Sequence, residues 1–346
     1  FAFFDDIDEA GLYSYFTMST PTPTLWLPDA GLKRRHEAAV AAVRRAEGEV
    51  NRWRDSRRAA FEAWLAAPKE PGTRLLGERA HFDFEQPAVV DKPTEGEAPD
   101  AAKPAKVARF ASRVCESDSA TTARENEPVP GPVGQALRLT GDHAVTTNVG
   151  SFHRHEPFSV SLWLQTPDLK ERAVVMHRSR AWTDAGSRGY ELLIEEGRLK
   201  WSLIHFWPGD AISIRATTSL PLHPRVHVTV TSDGSSRAAG LRIYVDGQSA
   251  EVETVRDHLT KDIAGGGGET IALGERFRDR GFKGGLVDEL RVFGRALTLL
   301  EAREVARPGS LAEVLAKAPA ALTITERSAL FDYFTAVEDT SGWTAR

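Results

Sequence analysis

Apolar and polar residues alternate along the central part of the chain, over residues 135–297. In the segment 158–164 every second residue, beginning with Phe158, is apolar, which is the period-two pattern of a half-buried strand. Turn sequences such as Asp246-Gly247, which accept positive φ angles, separate the alternating runs. Short strands joined by tight turns are typical of β-sandwiches and barrels. The other runs that predict strands are 172–177, 190–195, 199–206, 211–217, 226–231, 241–245, 270–273 and 286–293.

A helical pattern precedes this region. No Pro and a single Gly interrupt residues 32–65, and Asp29 is suited to cap a helix there. Several apolar residues of this run follow alternating steps of three and four, which is the spacing of a seam that packs on another helix. Arg57 interrupts that seam. The seam residues are Val43, Ala46, Val50, Trp53, Ala60 and Trp64.

The segments that border the alternating region have their own patterns. Residues 80–85 predict a first strand of the sandwich, whereas the Pro-rich and charged composition that follows predicts a disordered loop near 87–132, within which residues 107–114 could form a short strand. At the other end, Thr298 can cap one short helix, and Thr323 or Thr325 can cap another. The last helix has an apolar stripe suited to the seam of the long helix, formed by Leu330, Phe331 and Phe334.

Four segments of the alternating region resemble, in this order, the signatures of a laminin-G-like jelly roll of the concanavalin A-like lectin/glucanase type. They are Phe158-Ser-Val-Ser-Leu-Trp-Leu164, Val226-His-Val-Thr-Val-Thr-Ser-Asp-Gly234, Leu241-Arg-Ile-Tyr-Val-Asp-Gly247 and Gly285-Leu-Val-Asp-Glu-Leu-Arg-Val-Phe-Gly-Arg-Ala-Leu297. We therefore expect a mainly β fold, an antiparallel jelly-roll β-sandwich flanked by a long N-terminal helix and by C-terminal helices.

The N-terminal flank carries a second resemblance. The stretches Phe3-Phe4-Asp-Asp-Ile-Asp-Glu9 and Pro21-Thr-Pro-Thr-Leu-Trp-Leu-Pro-Asp29 are similar to the end of a domain of unknown function in planctomycete-cytochrome-family proteins. In that family a laminin-G-like insert lies between two such domains, so we expect this chain to be the middle of a larger extracytoplasmic protein, periplasmic or secreted. The expected division is a domain tail at 1–28, a long amphipathic helix at 29–67, the sandwich at 80–297 and C-terminal helices leading to a following domain at 298–346.

Composition restricts the possible functions. The 346 residues are 41% hydrophobic and 27% charged, which is ordinary for a globular protein. No apolar run approaches the ~18 residues of a spanning helix, so we expect no membrane span. A formal net charge of −5 argues against nucleic acid as a partner. Because Cys115 is the only cysteine, the chain has neither an intrachain disulfide nor the Cys-x-x-Cys-His motif for covalent haem.

Three predicted loops, at 177–188, 205–210 and 275–280, share Arg, Trp, His and Asp side chains. Aromatic rings stack on the apolar face of a sugar while Arg and Asp bind its hydroxyl groups, so converging loops of this composition would form a glycan site. Arginine also suits carboxylated or sulfated sugars. The alternative is that these side chains form buried networks that hold the loops. The candidate ligand-binding residues are Arg178, Arg180, Trp182, Asp184, Arg188, His205, Trp207, Arg278 and Arg280.

The resemblance also implies a structural calcium ion, the one cofactor that we consider. Laminin-G-like jelly rolls often hold calcium between an acidic residue near the first strand and an acidic pair in the last strand, here Glu85 with Asp288 and Glu289. Calcium takes six to eight oxygen ligands, of which the sequence supplies only a few candidates. The alternative is that Asp288 accepts hydrogen bonds from the backbone at a strand end.

The sequence favours recognition over catalysis. It lacks the Glu-x-Asp-x-x-Glu motif of concanavalin-like glucanases, and Glu191 and Glu195 would lie too far apart for a retaining pair of carboxylates. We therefore predict a non-catalytic module of a larger secreted or periplasmic protein, which binds polysaccharide and contacts the neighbouring domains of its parent chain. The alternative is a structural or protein–protein interaction module without a glycan ligand. A glycoside-active enzyme is the third possibility.

Overall fold

The computed structural model describes residues 29–67, 75–91, 106–183, 186–339 and 341. The chain divides into two compact units. One unit contains Gly77–Leu297, and the other combines the described residues of the segments on either side, within Thr24–Leu76 and Thr298–Arg346. The first unit is therefore inserted, in sequence, into the second. The domain tail predicted at 1–28 lies outside the described residues.

The inserted unit consists of short strands that pair antiparallel with their sheet neighbours, as the alternation predicts. Its described residues form β1 (Glu78–Phe82), β2 (Ala88–Asp91), β3 (Lys106–Ala111), β4 (Ser119–Ala123), β5 (Glu127–Pro130), β6 (Gln135–Arg138), β7 (Val145–Thr147), β8 (Phe158–Gln165), β9 (Arg172–Arg178), β10 (Gly189–Glu195), β11 (Arg198–Phe206), β12 (Asp210–Ser219), β13 (Val226–Ser232), β14 (Leu241–Val245), β15 (Gln248–Ser249), β16 (Val252–His258), β17 (Ala272–Leu273) and β18 (Leu286–Phe293).

These strands form two sheets. Within the described ranges, one sheet has eight strands in the order β15-β14-β13-β8-β18-β6-β5, with β1 also paired to β18. The other has ten, in the order β16-β12-β11-β10-β9-β17-β7-β4-β3-β2. Val160 and Leu162 of the smaller sheet are fully buried in one apolar core together with Leu192 and Trp201 of the larger sheet. The predicted antiparallel β-sandwich is confirmed.

The disordered loop predicted near 87–132 is wrong for the part that the structure describes. That part contains β2, β3, β4 and β5, and Ala120 of β4 is fully buried in the core. These strands are four to six residues long, which is too short for a clear alternation. In addition, β5 contains two Pro residues, which are tolerated there because β5 is the edge of its sheet. Residues 92–105 lie outside the described residues.

The second unit is helical and begins where the sequence predicts. The side chain of Asp29 caps the first helix by accepting a hydrogen bond from the Leu32 N–H at 2.8 Å. Thr298 and Thr323 cap two later helices, each in a capping box. No helix within the described ranges combines the length and the apolar character that crossing a membrane requires. The helices are α1 (Ala30–Ser56), α2 (Arg58–Ala66), α3 (Leu299–Ala306), α4 (Ser310–Leu315) and α5 (Ile324–Tyr333).

Aromatic residues pack together in the core of the helical unit, beside aliphatic residues such as Leu300 and Leu330. The ring of Phe61 in α2 lies with its centroid 5.1 Å from that of Phe331 and 5.7 Å from that of Phe334. Trp64 lies 5.3 Å from Phe334, so the predicted packing between the seam and the C-terminal stripe is confirmed at this end. The N-terminal end differs from the prediction, because no residue of α1 is buried and Val43 is 52% exposed.

Candidate ligand-binding site

The three predicted loops meet at a pair of tryptophans. Trp182 follows β9, Trp207 lies in the turn between β11 and β12, and their ring centroids are 6.3 Å apart at an interplanar angle of 46°. The backbone N–H of Trp182 donates a hydrogen bond to the Phe277 carbonyl at 2.9 Å, which ties the third loop to the first. Both rings are half-buried, so each retains accessible surface. We call Trp182 and Trp207 the tryptophan pair.

Cationic side chains hold both rings of the tryptophan pair. The guanidinium carbon of Arg172 lies 4.2 Å from the centroid of the Trp182 ring, and that of Arg276 lies 5.1 Å from it. The Lys200 Nζ atom lies 4.5 Å from the centroid of the Trp207 ring. Arg276 and Lys200 are themselves buried. Cation–π contacts with desolvated groups are the stronger ones, so the sheet fixes the position of both rings.

A buried ionic network links these cations. Arg276 donates from Nη1 to Glu191 Oε2 at 2.7 Å and from Nη2 to Asp279 Oδ2 at 2.5 Å, and Arg172 Nε donates to Asp279 Oδ1 at 2.7 Å. Burial alone would raise the pKa of Asp279, but the hydrogen bond from Arg172 and the charge of Arg276 outweigh it and lower that pKa. The second oxygen of Glu191 has no hydrogen-bond partner among the described residues.

Three of the predicted ligand-binding residues, Arg178, Arg188 and His205, are buried or half-buried. Arg178 is fully buried and donates to the Ile263 carbonyl at 2.8 Å. His205 is buried, and its Nδ1 donates to the Asp262 carbonyl at 2.6 Å, while its Nε2 lies 3.3 Å from Arg188 Nη2. Burial lowers the pKa of His205. These contacts hold the loops together, which is the alternative that the sequence left open.

The remaining predicted residues lie on the surface of the same loops. Arg180, Arg278 and Arg280 are exposed, and Arg280 forms an ion pair with Glu171. Neither Arg180 nor Arg278 has an ion-pair partner within the part of the chain that the structure describes. Asp184 lies outside the described residues. The predicted set thus divides into the tryptophan pair, a buried group and an exposed group.

Sequence reasoning missed the side chains beneath the tryptophan pair. Those on β9, β10 and β11 lie on the outer face of the ten-stranded sheet, because Glu191 and Lys200 alternate with the core residues Leu192 and Trp201. For these, charged residues at alternate positions of neighbouring predicted strands were the available signal. Arg276 and Asp279 belong to the predicted 275–280 loop, and Arg256 lies on β16. The missed residues are Arg172, Glu191, Glu195, Lys200, Arg256, Arg276 and Asp279.

The three predicted calcium ligands do not point to one place. Glu289 accepts hydrogen bonds from Arg291 Nη2 at 3.1 Å and pairs with His81 Nε2 at 2.7 Å. Burial alone would raise the pKa of Glu289, but His81 and Arg291 outweigh it and lower that pKa. Burial and the charges of Glu289 and Glu85 raise the pKa of Asp288 to about 8.

This arrangement does not fit a calcium site built on the predicted triad. With Glu289 held by two basic side chains, only Glu85 and Asp288 remain, far from the six to eight oxygens that calcium takes. No group of three or more acidic, histidine or cysteine side chains suited to a metal occurs among the described residues. Asp288 instead accepts a hydrogen bond from the Glu289 N–H at 2.8 Å, as the alternative predicts. On this fit we expect no calcium ion at the predicted triad, which a melting experiment with and without calcium would test.

Residues 139–303 match the laminin-G family model of the concanavalin A-like lectin/glucanases superfamily. This match covers just under half of the chain and lies almost entirely within the sandwich. It agrees with the resemblance that the four strand segments carry. No curated protein matches the chain.

Solved structures similar to the laminin-G-like sandwich include three toxin domains. They are the binding domain of Paraclostridial Mosquitocidal Protein 1 (13% identity, TM-score 0.47, covering 66% of this chain and 52% of that one), the receptor binding domain of botulinum neurotoxin D (13%, 0.42, 69% and 53%) and the botulinum neurotoxin serotype G binding domain (15%, 0.42, 57% and 48%). The chain spans about half the length of these structures. At this identity the likeness concerns the fold alone.

Proposed function

We propose that the laminin-G-like sandwich is a non-catalytic module that recognises polysaccharide at the tryptophan pair. The observation that carries the proposal is the convergence of two half-exposed indole rings, 6.3 Å apart, on one face of the larger sheet. Indole rings provide large flat apolar surfaces, and polar side chains around them supply hydrogen bonds to hydroxyl groups. A sugar chain lying across both rings would use both kinds of contact.

The buried network supports this proposal because it fixes the rings before any ligand binds. Arg276 is in contact with Trp182 and is bonded to two carboxylates, and Lys200 is in contact with Trp207. Side chains that are already ordered lose little conformational entropy when they bind a ligand. A rigid pair of rings is therefore a better platform for a weakly binding sugar than two mobile ones.

The same network supports a non-catalytic role. A retaining glycosidase needs one carboxylic acid and one free carboxylate about 5–5.5 Å apart on either side of the scissile bond. Here Glu191 and Asp279 both bind the guanidinium of Arg276 and are almost completely buried, at 1% side-chain exposure each. Carboxylates held in this way are committed to the internal ion pairs.

Affinity electrophoresis of the full chain in gels that contain single polysaccharides tests the proposal. For a polysaccharide that retards the wild type, Trp182→Ala and Trp207→Ala should each weaken retention roughly tenfold, as expected for a central aromatic contact. Trp163→Ala is the matched control, because Trp163 is also half-buried but lies on β8 of the other sheet. Unchanged retention in both pair variants, with the fold intact by circular dichroism, would contradict the proposal.

A structural or protein-interaction role is the second candidate, and the exposed apolar residues of α1 favour it. Val40 and Val43 are 37% and 52% exposed on a helix that has no buried residue. If no polysaccharide retards the chain, this candidate replaces the first. The parent protein would then use the sandwich to organise its neighbouring domains.

The wider setting is also part of the proposal. The N-terminal flank resembles planctomycete-cytochrome-family proteins, so we propose that the sandwich serves a larger multidomain protein outside the cytoplasm. A polysaccharide ligand agrees with such a location, since polysaccharides are abundant outside cells. Fractionation of cells that express the natural gene, with an antibody against the sandwich, would test the location directly.

A further inference from the structure

Three exposed arginines without a carboxylate partner among the described residues lie on the strand or loops that contact or carry the tryptophan pair. The guanidinium carbon of Arg256 on β16 lies 5.9 Å from the centroid of the Trp207 ring. Arg278 follows Phe277, whose carbonyl accepts the hydrogen bond from Trp182, and Arg180 lies two residues before Trp182. All three side chains are exposed, and none forms an ion pair with any residue that the structure describes. We call Arg180, Arg256 and Arg278 the rim arginines.

Several other cations of this face are paired with carboxylates. Arg172 and Arg276 share Asp279, and Lys200 Nζ lies 3.2 Å from Glu195 Oε1. Arg215, Arg198 and Arg280 likewise have carboxylate partners. The buried network is therefore close to balanced in charge, whereas the rim arginines add positive charge that the described residues leave unpaired.

From this difference we infer that the ligand of the tryptophan pair is an acidic polysaccharide, which carries carboxylate or sulfate groups. The inference rests on the proposed function. A guanidinium group donates two parallel hydrogen bonds to a carboxylate or sulfate, and these charge-assisted bonds are stronger than bonds to a neutral hydroxyl. Sugar rings stacked on the tryptophan pair would bring their acidic groups to the rim arginines.

The geometry of the rim favours a chain over a single sugar. Arg256 lies beside Trp207, while Arg180 and Arg278 belong to the loops that carry and contact Trp182. The positive charges thus belong to elements on both sides of the tryptophan pair, with Arg256 in contact with Trp207 and the other two on the loops of Trp182. A polymer with repeated acidic groups can contact them at both places, whereas one acidic sugar can contact only one.

Matched pairs of polysaccharides test the inference by affinity electrophoresis of the full chain. Polygalacturonate and its methyl ester share one backbone, but only the first carries carboxylate charge. Dextran sulfate and dextran likewise share one backbone, but only the first carries sulfate. We expect retention by at least one acidic polymer to exceed that by its neutral counterpart. Arg256→Gln and Arg278→Gln should each weaken this retention on the order of fivefold, the upper range for an exposed ion pair.

Two control variants separate the inference from general charge effects. Arg34→Gln combined with Arg35→Gln removes two exposed positive charges from α1 and should leave retention unchanged. Trp182→Ala should weaken retention by the acidic polymer at least as strongly as the arginine variants do. If Trp182→Ala does not weaken retention by the acidic polymer, the binding is simple ion exchange and the inference is overturned. The same holds if the α1 variant weakens this retention as much as the rim arginine variants do.

The remaining outcomes are also decisive. Equal retention by acidic and neutral polymers, lost in Trp182→Ala, would overturn the inference while the proposed function stands. No retention by either acidic polymer would also overturn it, and retention by a neutral polysaccharide would then decide the proposed function separately. Comparison of the polygalacturonate and dextran sulfate results identifies which acidic group the rim arginines bind.

Discussion

At the scale of single residues, Arg276 joins the parts of the candidate site. Its buried guanidinium bonds to Glu191 on β10 and to Asp279, and it contacts the ring of Trp182. A buried charge is tolerated only when it is paired and hydrogen-bonded, because the interior cannot replace the water it loses. One side chain thus connects the sheet, the 275–280 loop and the tryptophan pair.

Replacement of Arg276 should therefore destabilise the sandwich. In Arg276→Ala the carboxylate of Glu191 stays buried without its cation, so we expect the free energy of unfolding of the sandwich to fall by roughly 3–5 kcal/mol. Urea denaturation followed by tryptophan fluorescence measures the loss. Arg280→Ala is the control, because Arg280 forms a mostly exposed ion pair with Glu171 that should contribute at most about 1 kcal/mol. Equal losses in the two variants would refute this account of the network.

His177 makes the stability of the sandwich depend on pH. Its Nε2 donates to the Glu275 carbonyl at 2.9 Å, and burial together with the charge of Arg276 lowers its pKa to about 3. Between that value and the unfolded pKa of about 6.5, the unfolded chain binds a proton that the folded chain does not, so stability falls as the pH falls.

From pH 6.5 to pH 5 this loss should be on the order of 2 kcal/mol for His177. His177→Gln keeps a donor for the Glu275 carbonyl but does not titrate, so its stability should depend less on pH over this interval. Urea denaturation at both pH values measures the difference. Parallel pH curves for wild type and variant would show that His177 is not the titrating group.

At the scale of elements, the strands from β8 to β14 are those that the sequence predicts well. Each has enough alternating positions, and turn residues such as Asp246-Gly247 separate them. Within 87–132 the sequence suggests only β3, while β2, β4, β5 and β16 escaped prediction, since they are short or carry exposed polar residues on both faces, as β16 does. The meeting of Trp182 with Trp207 could not be predicted, because it depends on how far each loop folds over the sheet.

The helical unit depends on a small aromatic core, which one substitution should disrupt. Phe61 contacts three aromatic rings and is 4% exposed, so Phe61→Ala should lower the free energy of unfolding of this unit by about 3–5 kcal/mol. Hydrogen exchange of the α5 amides measures this loss of stability locally. Phe277→Ala, at a position that is 64% exposed, is the control and should leave that exchange unchanged. Protected α5 amides in Phe61→Ala would contradict this role.

At the scale of the whole molecule, charge is distributed unevenly. The chain has a formal net charge of −5, yet the rim arginines are unpaired by any described residue. At 0.1 M salt the Debye length is about 10 Å, so a ligand in contact with these arginines feels them more than it feels the distant charges. Net charge therefore predicts which partners are repelled at a distance, but the positions of individual charged side chains, such as the rim arginines, determine which ligand binds.

The stability of the whole sandwich also tests the structural calcium ion. Because Glu289 is bonded to His81 and Arg291, we expect the melting temperature to be the same in EDTA and in added calcium chloride. Glu289→Gln should lower the melting temperature equally in both, since it weakens those contacts without involving a metal. A melting temperature that rises with calcium in the wild type, and no longer does so in Asp288→Asn, would show that the strand end binds the ion after all. In that case the carboxylate of Asp288 would be ionised by the metal, and its pKa near 8 would describe only the metal-free protein.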